Sequence, residues 1–181
     1  MTCAMVRRWS VVLMMAMAIV CAVPCRGADA PPAPESIRAA AQSCADAMLK
    51  GDFEAFANFT HPRLIEMFGG RQKFIATIKK GNEDMKAQKA AITSFTVRAP
   101  DGTIKGGADL FAVVPTTLAM TIRDSKIKQD GYLIAVSSDN GAHWTFVTGD
   151  GIERGKLKEI LPNLPEELKL PAKAAQVVEK K

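Results

Sequence analysis

The stretch "AAITSFTVRAPDG", Ala90 to Gly102, is where the chain changes its period. Before it, apolar residues recur every three or four positions. Within it, Phe95 and Val97 alternate with Ser94, Thr96 and Arg98. A period near 3.6 marks a helix buried along one stripe, and a period of two marks a half-buried strand. Pro100, Asp101 and Gly102 then supply a turn. Helices come first in this chain, and strands second.

Read back from that point, Phe74, Ile75, Ile78 and Met85 form the inward stripe of a helix opening at Arg71. Gly69 and Gly70 before it let the chain reverse with positive φ. In "FTHPRLIEMF", Phe59 to Phe68, Pro62 disfavours a helical His61 and suits a first helical turn. Thr60 or His61 is therefore a boundary between helices, and Leu64, Ile65, Met67 and Phe68 are expected to form a short buried segment. Asp52 can cap a helix carrying Phe53, Phe56 and Phe59 on one side. Ile37, Ala41, Cys44 and Met48 give the stripe of a first helix, which begins near Glu35 or Ser36 and ends at Gly51.

Read forward, a short strand runs through Thr103 to Lys105, followed by "LFAVVP" and "TTLAMTIR". Pro115 cannot donate to a ladder, so it belongs at a bulge, edge or bend. "DSK" turns the chain, and Asn140-Gly141 is a strong hairpin signal. Leu118, Met120 and Ile122, then Tyr132, Ile134 and Val136, then Trp144 and Phe146 are read as the inward strand faces. A last helix is expected from about Ile152 to Leu161. The fold class is α+β: N-terminal helices on one face of a strongly curved antiparallel sheet of about five strands enclosing a cavity, with a short C-terminal helix.

The N-terminus carries Arg7 and Arg8, an uncharged apolar run from Ser10 to Val23, and small residues in "PCRGADA". That order marks a secretory signal peptide over 1–27, and with it a periplasmic or secreted protein. The run falls short of the ~20 apolar residues of a membrane span. No span is therefore expected after cleavage, and a lipoprotein at Cys21 or Cys25 is the second reading. A proline-rich linker follows (28–35), then one domain (36–162) and a proline-punctuated, lysine-rich tail (163–181). Loss of Arg7, Arg8 and Arg26 lowers the formal +5 of the whole chain by three, to +2. The remaining charges are interspersed, so the chain lacks the basic stripe of a nucleic-acid binder. Cys44 is left without an intramolecular partner and reads as a small buried hydrophobe.

"LKGDFEAFANFTHPRLIEMFGGRQKFIATIKKG", Leu49 to Gly81, followed by the meander, resembles the nuclear transport factor 2-like superfamily, including its secreted bacterial members. The resemblance covers Ser36 to Gly149 and includes ketosteroid-isomerase-like and polyketide-cyclase-like domains. It implies a cone-shaped cavity, and a homodimer through the outer sheet face as a structural alternative. Isomerase chemistry of this kind needs a carboxylate base in an apolar cavity and an acidic donor, and the family's catalytic residues find no match here. "SSDNGAHW" is also similar to the Asp-box, through Ser137, Asp139, Gly141 and Trp144, and reads as a turn device.

The pocket candidates are His61, Phe74, Asp109, Met120, Tyr132 and Trp144. His61 lies at the expected mouth, although a boundary histidine bonded to backbone is the plainer reading. Asp109 is the one strand acid expected to share a face with Phe111 and Val113. Tyr132 could donate into the pocket. Two histidines and no Cys/His cluster give no metal site, and no nucleotide or nucleophile motif appears, so no cofactor and no catalytic residue is named. The expectation is an exported domain that binds a small apolar ligand or a partner; the alternative is a cavity enzyme using His61, Tyr132 or Asp109.

Overall fold

Four helices precede the sheet. The computed structural model describes residues 32–172 and 176–180, so the leader and most of the expected linker lie outside the described residues. α1 (Pro34–Lys50) starts on a proline, whose fixed φ suits a first turn, and stops at Gly51, whose φ of 73° makes a left-handed cap. Its stripe of Ile37, Ala41 and Cys44 is buried. α2 (Phe53–Phe59) is capped by Asp52, which accepts from the Ala55 N–H at 3.0 Å. Thr60 closes α2 and His61 opens α3 (Pro62–Met67) in extended backbone, as a residue before proline should. Gly69 and Gly70, with φ of 84° and 101°, turn the chain into α4 (Arg71–Ala87).

One expectation about this region is corrected. The segment from Leu64 to Phe68 is not buried: Met67 is 58% exposed and Phe68 42%. In so short a helix Leu64 and Ile65 are half-buried, and Phe68, four residues after Leu64, reaches Phe74 with one edge.

The sheet has six strands: β1 (Ala90–Val97), β2 (Ile104–Gly106), β3 (Asp109–Ile122), β4 (Ser125–Ser137), β5 (Thr145–Thr148) and β6 (Gln176–Lys180). Every pairing is antiparallel. The long β3–β4 hairpin is the spine. β1 and β2 share one side of β3, while β5 and β6 share the far side of β4. The sixth strand comes from the segment expected to be a tail. Pro115 sits where β1 ends, and its carbonyl accepts from the Arg98 N–H at 3.0 Å. A strand residue's N–H and C=O point the same way. The missing donor of Pro115 therefore faces the gap between β1 and β2 and spares the β3–β4 ladder.

Register corrects one of the expected inward faces, that of β4. Arg123 (φ 52°) and Asp124 form a two-residue loop that pairs Ile122 with Ser125. Even-numbered residues of β3 therefore stand opposite odd-numbered residues of β4. Ala112 and Val114 share the helix-facing core with Leu133 and Ala135, together with Ile37, Ala41, Ala45, Trp144 and Phe146. Tyr132, Ile134 and Val136 point to the other face. There they meet Phe111, Val147 and the apolar residues of α5 (Arg154–Ile160) and the segment after it, Leu157, Ile160, Leu161, Leu164 and Leu168. The sheet is thus covered on both faces at its β5 end. Among the described residues no helix is long and apolar enough to cross a membrane.

Candidate functional site

The curl of the sheet and the stand-off of α2, α3 and α4 leave a cavity of about 500 Å³ on the helix-facing side. Aromatic rings form its helical wall. Phe56 and Phe74 stack at 6.2 Å with 10° between planes, and Phe68 meets Phe74 edge-on at 5.4 Å. Such pairs gain from ring quadrupoles as well as from burial. Phe74 is the buried residue of α4, so the helix is held at its first turns. Arg71 adds a tie there, donating to the Glu54 carboxylate at 2.9 Å and to the Glu54 carbonyl at 2.8 Å. Phe95, Leu118, Leu133 and Phe146 supply the sheet wall, and Cys44 and Met48 of α1 close one side.

One end of the cavity is polar. Thr116, Gln129, Thr148 and Asp150 gather there near Gly131, while Thr60 borders the cavity beside Phe146. A Cβ on Gly131 would stand 3.5 Å from Thr116 Oγ1 and 3.5 Å from Asp150 Cβ, so the bare glycine lets these two groups close over β4. Gln129 Nε2 donates to Asp150 Oδ2 at 2.7 Å. Asp150 Oδ1 is buried and accepts no hydrogen bond. Asp130 borders the same end, but its carboxylate lies on the other face of the sheet, where it accepts from the Thr117 hydroxyl at 2.6 Å. The wall includes the Asp150 side chain and no lysine, arginine or histidine.

Of the six residues singled out in the sequence, Phe74 and Tyr132 line this cavity. Tyr132 does so at the rim, since its side chain belongs to the outer core and its ring fills the place beside Gly149, where a Cβ would lie 2.1 Å from the ring. Burial raises its pKa, the charge of Asp150 adds to the rise, and Arg154 opposes it. His61 lies off the wall. Its N–H donates to the Phe146 carbonyl at 3.2 Å, and its Nδ1 is buried without a partner. Desolvation lowers its pKa, against a smaller upward pull from Asp109.

Asp109 also lies off the wall, because it ends β3 and accepts from Asn163 Nδ2 at 2.9 Å. Met120 lies in a separate shallow hollow with Ala119, Lys126, Lys128 and Val177. Trp144 is packed in the helix-facing core, with Nε1 unpartnered. Asp150, Gln129 and Thr116 went unnoticed in the sequence. Asp150 reads there as an ordinary turn acid in "TGDG", and only the fold over Gly131 brings it to the cavity.

The "SSDNGAHW" loop is a turn device in the structure. Ser137 Oγ donates to Asp139 Oδ1 and accepts from the Gly141 N–H, each at 2.8 Å. Asp139 accepts the His143 N–H at 2.9 Å and stands 2.6 Å from His143 Nδ1. These bonds, the backbone one first, hold the Asp139 carboxyl at about 2. Among the described residues no group of three or more His, Cys, Asp or Glu side chains is placed to hold a metal. No family model matches the chain, and no curated protein does.

Proposed function

We propose that this protein binds a small, largely apolar molecule in the cavity between its helices and its curled sheet, without catalysing a reaction on it. The observation that carries this reading is the aromatic and aliphatic lining of a space of about 500 Å³. Ligand sites are typically concave, mostly apolar spaces of ~300–1,000 Å³ with a few convergent polar groups. The thiol in the wall, Cys44, is pushed up to about 12 by burial, far from the thiolate that a nucleophile requires. The nuclear transport factor 2-like resemblance, drawn from Leu49–Gly81 and the meander, fits the same reading. So does export, drawn from the Arg7-Arg8 leader pattern.

Filling the space tests it. Leu118→Trp puts an indole into the cavity from the sheet wall. The wild-type protein is expected to bind the neutral dye Nile red with a blue-shifted emission. The variant should lose that binding while its melting temperature stays within a few degrees. Equal dye binding by both proteins would place the ligand elsewhere and refute the proposal.

A further inference from the structure

The apolar space has a sign of charge at one end. Asp150 lies at the polar end, and the residues lining the cavity include no basic side chain. The side-chain hydrogen bond to the Asp150 carboxylate comes from a neutral donor, Gln129 Nε2. Among the described residues Asp150 makes no ion pair within the fold. Arg154, the nearest candidate in sequence to Asp150, is engaged elsewhere. It donates to the carbonyls of Pro165 and Leu168 and pairs with Glu166 at 3.5 Å.

A carboxylate oxygen shut off from water with no donor is costly, and native proteins keep such groups paired. Asp150 Oδ1 is in that condition beside the cavity. The surrounding wall is largely hydrocarbon, so a charge at this end acts through a medium that screens it less than water does. Such an end attracts a cation and repels an anion. The apolar remainder of the cavity meanwhile fits a hydrocarbon or aromatic body.

We infer that the ligand is an amphiphile with a protonated amine, its apolar body among Phe56, Phe68, Phe74 and Leu118 and its ammonium at the Asp150 end. This rests on the cavity being the binding site, and it adds a preference that the apolar lining alone would not give. Fatty acids and other apolar carboxylates are the disfavoured class, because their head group would meet a like charge.

The test compares three probes of equal chain length, decylamine, decanol and decanoate, as competitors of Nile red at neutral pH. Decylamine is expected to displace the dye at roughly tenfold lower concentration than decanol, the size of one well-placed, partly shielded charge pair, and decanoate is expected to be the weakest. The gap between amine and alcohol should narrow as salt is raised from about 0.01 M to about 1 M, because the Debye length shortens from about 30 Å to about 3 Å. Asp150→Asn should bring decylamine close to decanol, with circular dichroism confirming that the variant folds. The salt series on the wild-type protein stands whether or not it does. Decanoate matching or exceeding decylamine, or an amine preference indifferent to salt, would overturn the inference while leaving an apolar site intact. Failure of Nile red and of all three probes to bind would overturn the cavity reading itself, and this inference with it.

Discussion

The outer face of the sheet is sealed at its β5 end, while the helix-facing side of the same strands stays hollow. The seal is made by short pieces of chain. α5 supplies Leu157 and Ile160, and the proline-punctuated run beyond it supplies Leu161, Leu164 and Leu168. Arg154 fastens that run by donating to the carbonyls of Pro165 and Leu168, and Lys158 meets Glu166. Short segments can follow a curved surface residue by residue. A helix of seventeen residues is a rod about 25 Å long and cannot. α1 packs on the strands through Ile37 and the small residues Ala41, Cys44 and Ala45. α4 is propped away by the rings of Phe56, Phe68 and Phe74. A curled sheet is thus closed by adaptable chain and left open by straight helices.

Paired truncations can break that comparison. Leu157 is fully buried, and Leu157→Ala should cost about 2–5 kcal/mol, the range for a leucine cut from a packed core. Leu118 already borders open space, so Leu118→Ala leaves little new void and should cost about half as much or less. Urea denaturation of both variants measures the difference. Equal losses would mean that the helix-facing side is as tightly filled as the outer one.

The helical half was legible in the sequence because its instructions are local. Asp52, Pro62 and Gly51 act within one turn of where they stand, and the stripe of Ile37, Ala41 and Cys44 needs only its spacing. The α+β order and the curled sheet could be read from the change of period at Ala90. The faces of β4 could not, because its register follows from a two-residue loop at Arg123 and Asp124, and a one-residue difference reverses every side chain. Nor could the outer seal. Pro162, Pro165 and Pro171 erase any helical period, so Leu164 and Leu168 look like residues of a loose tail, and their burial is decided by what they land on. The site was half legible for the same reason. Phe74 lies on a helical stripe, whereas Asp150 and Gln129 meet only because two distant segments converge beside Gly131.

The hairpin loop between β4 and β5 sharpens the comparison on the helix-facing side, because it leads directly into Trp144 of that core. Gly141 has φ of 91°, and a Cβ there would lie 2.7 Å from Pro32 Cβ. Gly141→Val adds β-branching to a left-handed backbone, a strain of about 1–3 kcal/mol. The midpoint of chemical denaturation should fall accordingly. A companion Pro32→Gly change separates the two causes: whatever loss persists in that background is backbone strain. An unchanged midpoint for Gly141→Val would mean that the loop does not brace the core.

The smallest effect is expected at His61, where the two sides of the sheet meet. Thr60 forms a bridge to Phe146 of β5 and lines the cavity. The next residue in extended backbone points the other way, and His61 is accordingly off the cavity wall, with Asp109, Arg63 and Glu66 as its charged surroundings. Desolvation holds its pKa below the ordinary 6.5, so between that lowered value and 6.5 the unfolded chain binds more protons than the folded one. The folded state therefore keeps its full stability above 6.5 and loses some as the pH falls below it. Glutamine cannot titrate. His61→Gln should leave stability at about pH 8 within about 0.5 kcal/mol of the wild type, and should flatten the decline between about pH 6.5 and about pH 5. Urea midpoints at the two ends of that range measure this, since the other titrating groups enter both proteins alike. Nile red binding should be the same in both. If it disappears while stability at about pH 8 is unchanged, His61 belongs to the cavity, and the division between a sealed outer face and an open inner one fails at their shared edge.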